Sequence, residues 1–188
     1  MSKKVKTLIV IAIIVVVLIG AFANGYNSLV SKQANVEEKH AAISTYLQRR
    51  ADLIPNFVAT VSAYSDYEKS TYTAVTEART AVQNANGVAE ENAANEQLDK
   101  AIDVWVNAVT EAYPDLKANT QYTALMDELA GSENRIATAR KDYNDAAKSY
   151  NVYVKRFPSN IFAGIFGFEK VEYFEANKSA EEVPQVKF

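Results

Sequence analysis

Gln48-Arg49-Arg50-Ala51-Asp52-Leu53-Ile54-Pro55-Asn56-Phe57-Val58 is the stretch on which the fold turns. Amphipathic runs of similar length lie on either side of it. Pro55 has no backbone N–H, and its ring disfavours the helical region for Ile54. Asp52 is a candidate N-cap, with Pro55 inside the first turn where a missing donor costs little. The stretch therefore predicts a tight helix–helix corner at Asp52 and Pro55.

Upstream of the corner, Tyr26 to Arg50 has rows of seven-residue spacing. Leu29, Val36 and Ile43 form one; Tyr26, Gln33, His40 and Leu47 form the next. Such rows make one stripe for a partner helix. Further upstream, Leu8 to Ala23 contains no charged or amide side chain and follows Lys3, Lys4 and Lys6. With its flanks, Val5 to Tyr26, it would reach roughly 33 Å as a helix, about one bilayer core. Ala21 and Ala23 offer an alternative, a cleaved signal peptide with secretion after cleavage near Ala23. The helical pattern that continues from Tyr26 favours a retained anchor. Lysines cluster before the apolar run, while Lys32 and Lys39 beyond it are diluted by Glu37 and Glu38. The positive-inside tendency then puts the N-terminus in the cytoplasm and the rest outside, a single-pass arrangement.

Downstream, a second helix over about Leu53 to Gln83 carries Ile54, Val61, Val75 and Val82, with Phe57, Tyr64 and Ala78 alongside. Asn84-Ala85-Asn86-Gly87 supplies turn chemistry. A third helix, about Val88 to Ala112, carries Leu98, Ile102, Trp105 and Val109, and Pro114-Asp115 marks the next corner. In the fourth, Tyr122, Leu129, Ile136, Tyr143, Tyr150 and Phe157 recur every seven residues across Gly131. The expected class is all-α, an N-terminal transmembrane helix followed by an antiparallel up-and-down four-helix bundle. The expected divisions are 1–25 as anchor, 26–157 as bundle, and 158–188 as an apolar segment with a loose polar tail. Within the last, Ile161, Phe162, Ile165, Phe166 and Phe168 form a candidate membrane-proximal segment. An even number of helical passes returns the chain to the membrane end just before it. The segment then lids the base of the bundle or dips into the lipid interface beside the anchor.

Composition narrows function more than it identifies it. A net charge of −3 and a pI near 5.3 give no global basic field for nucleic acid. With no cysteine there is no disulfide, thiolate metal site or cysteine nucleophile. Glu37-Glu38-Lys39-His40 contains one E-x-x-H, but di-iron bundles use two such motifs, and His40 is the sole histidine. No phosphate-cradling glycine loop or hydrolytic triad is present, so no catalytic residue, metal or cofactor is assigned. Charges that fall on the stripes are Arg50, Glu68, Arg79, Glu133 and Arg140. Buried charges are expensive unless paired, so these predict a polar seam, with Glu133 and Arg140 as a pair, that sets helix register. A polar pocket for a ligand is the competing reading.

Several ordered blocks carry a resemblance. They are Tyr26-Asn27-Ser28-Leu29-Val30, Arg49-Arg50-Ala51-Asp52-Leu53-Ile54-Pro55-Asn56 and Tyr113-Pro114-Asp115-Leu116-Lys117-Ala118. Further on come Glu133-Asn134-Arg135-Ile136-Ala137, Ala139-Arg140-Lys141-Asp142-Tyr143-Asn144, Tyr150-Asn151 and Phe157-Pro158-Ser159-Asn160. Along nearly its whole length after the anchor the chain resembles LemA family proteins. The family's Gly-Tyr-Ala-x-His-Glu block is replaced by Ala63-Tyr64-Ser65-Asp66-Tyr67-Glu68, and His40 stands near where an early Trp is found. The resemblance implies a bacterial membrane-associated antiparallel four-helix bundle with no established enzymatic activity. The leading expectation is a non-enzymatic scaffold or interaction module of the cell envelope. It would be held to the lipid bilayer by its N-terminal helix and bind an envelope protein partner, not nucleic acid. A small-ligand or metal-dependent enzyme using the seam is the alternative, and homo-oligomer formation through the apolar tail is a third reading.

Overall fold

A computed structural model describes residues 3–62 and 69–175, and every regular element among them is helical. The elements are α1 (Lys3–Ser62), α2 (Lys69–Asn84), α3 (Val88–Ala112), a 3-10 turn (Pro114–Ala118), α4 (Thr120–Lys155) and α5 (Ser159–Phe166). The protein is an all-α four-helix bundle with an N-terminal apolar helix, as the stripes predict.

The expected corner at Asp52 and Pro55 does not form. α1 runs through Pro55 without interruption. The physical reason is a substitute donor. In an unbroken helix the N–H of residue 55 would bond to the carbonyl of residue 51, and proline leaves that acceptor free. Arg79 of α2 donates its Nε–H to Ala51 O at 2.9 Å. Asp52 is no N-cap; it is exposed and accepts a hydrogen bond from Gln48 Nε2 at 2.8 Å, one turn earlier. Leu53 therefore starts no new helix: α1 continues to Ser62, and the next described helix is Lys69–Asn84.

The later boundaries follow their local chemistry. α2 stops at Asn84, and Gly87 takes φ 82°, a left-handed geometry that costs glycine nothing. Glu90 Oε2 accepts from Asn86 N at 3.0 Å, pinning the start of α3. Before α4, Asn119 Oδ1 accepts from the N–H groups of Gln121 and Tyr122 at 2.9 and 3.0 Å, an asparagine N-cap. α4 ends at Lys155, two residues short of the expected Phe157, and Phe157 is consequently 75% exposed rather than part of the stripe.

The described residues form two compact units. One comprises 3–38 with 145–171, the other 39–62, 69–144 and 172–175. In the second, Ile43, Leu47, Ile54, Phe57 and Val61 of α1 are buried, as are Val75 and Val82 of α2. So are Leu98, Ile102, Trp105 and Val109 of α3 and Tyr122, Leu129 and Ile136 of α4. Phe57 meets Trp105 edge-on at 4.9 Å and stacks on Tyr122 at 5.6 Å. These aromatic contacts contribute beyond the area they bury.

In the first unit Leu29, Val36, Ala147, Tyr150 and Val154 are buried, and Lys32 Nζ donates to Ser149 Oγ at 2.8 Å. α5 lies against α1, with Phe162 edge-on to Phe22 at 4.8 Å and Phe166 on Tyr26 at 4.7 Å. Gly25 makes the approach possible. A Cβ there would stand 2.6 Å from the Phe162 ring, well inside contact distance.

Candidate functional site: a buried ion cluster in the bundle

The seam expected from the stripes centres on Arg50. Its position between Leu47, Ala51 and Ile54 on the inner face of α1 leaves it 5% exposed. Such a charge must find partners. Arg50 Nη1 donates to Asn95 Oδ1 at 3.0 Å and to Glu133 Oε2 at 2.5 Å, and it also pairs with Asp99. Asn95 Nδ2 donates in turn to Asp99 Oδ2 at 3.1 Å. One cation thus ties α1 to α3 and α4.

A second group sits around Glu91 of α3, itself buried. Its Oε1 accepts from Ser44 Oγ at 3.0 Å, and its Oε2 lies 3.0 Å from His40 Nε2. The His40 ring lies against Tyr143 and Phe174 at 5.8 and 6.3 Å. Glu37, the other half of the E-x-x-H, accepts from Gln33 Nε2 at 3.0 Å. Among the described residues no group of three His, Cys, Asp or Glu is placed to hold a metal ion.

Arg140 does not pair with Glu133 as expected; the partner of Glu133 is Arg50. The Arg140 guanidinium lies 5.4 Å from the Phe174 ring, within range of a cation–π contact. Burial pushes its pKa below the usual arginine value, and neighbouring Arg50 adds to this, while Glu133, Asp99 and Glu91 pull the other way. Arg79 belongs to the backbone of α1, through Ala51, and not to the ion cluster. Glu68 lies outside the described residues.

Sequence reasoning missed Glu91, Asn95 and Asp99. Their signal was available, because they stand four apart on α3 beside Leu98 and Ile102 and so share the inward face. It also missed two asparagine clamps. Asn144 gives Nδ2–H to Phe174 O and takes Phe174 N–H on Oδ1, both at 2.9 Å. Seven residues on, Asn151 makes the same pair of bonds to Val171, again at 2.9 Å. Each amide thereby binds both backbone groups of one residue in the non-helical chain beyond α5. Tyr143 adds a donated bond from its hydroxyl to Glu172 O at 2.9 Å.

Residues 39–188 match the LemA family, and this range holds the whole ion cluster and both clamps. The chain belongs to the LemA family. Relatives include magnetosome protein MamQ 2 of Paramagnetospirillum magneticum, 29% identical over 96% of this chain and 75% of that protein. MamQ of Magnetospirillum gryphiswaldense is 26% identical over 85% of this chain and 67% of its own length. Protein LemA of Metamycoplasma hominis is 24% identical over 81% and 69%. None of these names states a reaction. Within this LemA family chain, the sequence blocks that carried the resemblance land on structural devices. Arg50 and Pro55 lie in one, Glu133 in another, and Asn144 and Asn151 close two more.

Proposed function

We propose that this protein is a membrane-tethered helical scaffold of the bacterial cell envelope, which binds a protein partner and catalyses no reaction. One observation carries the reading. α1 holds both a run from Leu8 to Ile19 that is apolar and exposed all round and the bundle core residues Ile43, Leu47 and Ile54. A helix apolar on every face is suited to lipid, and this one is long enough to cross a membrane. The ion cluster supports a structural role, since Arg50 Nη1 meets Asn95, Asp99 and Glu133 of neighbouring helices. Three relatives named as magnetosome proteins support an association with an assembled cellular structure, which is what a scaffold serves.

In this proposal the N-terminus is cytoplasmic and the bundle lies outside, following the lysine asymmetry. The chain has no native cysteine, so Ala85→Cys in the α2–α3 turn gives a single labelling site. It reacts with a membrane-impermeant thiol reagent in intact cells, once any outer membrane is opened. Labelling only after lysis overturns the orientation. The enzyme alternative draws on Arg140, whose Nε and Nη2 meet no hydrogen-bond partner among the described residues. Stoichiometric iron or manganese surviving dialysis of the purified protein would favour that alternative and sink the scaffold reading.

A further inference from the structure

We propose that α5 is an interfacial foot, embedded in the same leaflet through which the apolar part of α1 leaves the membrane, with its partner the phospholipid itself. This rests on the membrane-tethered reading and adds a second lipid contact to it.

The first observation is the chemistry of α5. Its sequence, Ser159-Asn160-Ile161-Phe162-Ala163-Gly164-Ile165-Phe166, has polar side chains only at its start. Ser159 is turned inward and donates to Tyr153 O and Arg156 O. On the side away from α1, Ile161 and Ile165 are 49% and 61% exposed, and Phe157 just before them is more so. A helix that packs on its neighbour with phenylalanine and presents isoleucine outward has, beyond exposed Asn160 at its start, no face suited to water.

Depth is the second observation. α5 rests on Phe22 and Tyr26 through Phe162 and Phe166, and Phe168, two residues beyond it, also meets Tyr26. If Lys6 marks one edge of the hydrocarbon, Tyr26 lies twenty residues on, roughly 30 Å and hence near the opposite edge. A helix seated on the turn between Phe22 and Tyr26 is therefore level with the last few ångströms of acyl chain and the start of the headgroups. Eight residues reach only about 12 Å, too short to span, so the helix lies in the boundary. Beside it, Leu18, Ile19, Phe22, Ala23, Tyr26 and Phe166 line an open groove of about 430 Å³, almost wholly apolar and fit for an acyl chain.

Charge is the third. Exposed Lys155 and Arg156 precede α5, and exposed Lys170 follows it beyond Glu169, leaving three cations against one anion at its flanks. Lys155 stands close enough to hold Lys170 below the usual lysine value. Cations gathered beside an apolar helix complement lipid phosphates, which favours a bilayer over a second copy of this chain as the occupant.

The test uses the full-length chain in bilayer nanodiscs containing anionic phospholipid. Single cysteines carry a spin label at Ile165→Cys, at Val16→Cys as the anchor reference, and at Val104→Cys as a water-exposed reference on α3. At Ile165 collisions with oxygen should exceed those with a polar nickel chelate, as at Val16 and opposite to Val104. Chelate access at Ile165 with Val16 protected puts α5 in water and overturns the foot while leaving the anchor intact. Chelate access at Val16 overturns the tether and the foot together. An immobile Ile165 label closed to both reagents means that protein covers α5, and this too overturns the proposal. Ile161→Cys repeats the measurement should Ile165→Cys fail to fold.

Discussion

Replacing Arg79 tests how α1 survives a proline in its interior. In a helix interior proline costs about 3 kcal/mol or more, partly through the orphaned carbonyl four residues earlier. Here that carbonyl is Ala51 O, and Ala51 is fully buried, so water cannot serve it. The Arg79 Nε donor at 2.9 Å is its replacement partner. Arg79→Met keeps the aliphatic stem and removes the donor. A buried acceptor left bare costs about 1–3 kcal/mol, and the charged donor favours the upper half of that range. For a chain of this size the expected fall in melting temperature is about 2–4 °C per kcal/mol. Pro55→Ala restores the backbone N–H, so Arg79→Met in that background should cost at least about 1 kcal/mol less. The assay is urea unfolding of full-length protein in mild detergent, read by the fluorescence of Trp105, which is buried against Phe57. Equal costs in the two backgrounds would refute the reasoning, because Arg79 would then be stabilising something other than the gap left by Pro55.

Three further outcomes are expected. Arg50→Met strands Asp99, Glu133 and Asn95 and should cost about 3–5 kcal/mol, whereas Glu133→Ala leaves Arg50 with Asp99 and Asn95 and should cost about 1 kcal/mol, since Glu133 is itself 41% exposed; equal losses in chemical unfolding would contradict this hierarchy. Asn144→Ala removes both bonds to Phe174 and should cost about 1–3 kcal/mol, with faster amide exchange in residues 172–175 than in the bundle core as the check. Burial raises the pKa values of Tyr122, Tyr143 and Tyr150, and Glu172 and Glu91 add to the effect at Tyr143. Their protons are held more tightly when folded, so this stability is complete below about pH 10 and declines as pH rises through the raised values. Tyr143→Phe should make the alkaline decline in unfolding free energy shallower, and an unchanged slope would count against a raised Tyr143.

What could be read from the chain alone is what depends on neighbours in sequence. The seven-residue rows, the left-handed turn at Gly87, the span Val88–Ala112 and the apolar run of α1 all follow from local periodicity and backbone chemistry. Burial of Arg50 was legible for the same reason, since it continues the Leu29, Val36 and Ile43 row. Partners were not. Proline announces a missing donor, but whether the helix breaks depends on whether a distant side chain can replace it, and Arg79 stands 28 residues away. Arg140 and Glu133 share a row and invite pairing, yet Arg50 reaches Glu133 across 83 residues, while Arg140 faces Phe174. Nor does periodicity register a side-chain amide that binds backbone, because the bond of Asn151 to Val171 leaves no repeat in the sequence. Periodicity determines which face of each helix turns inward. Only packing decides which group on that face meets which, because a hydrogen bond or ion pair depends on distances of about 3 Å that no one-dimensional spacing encodes.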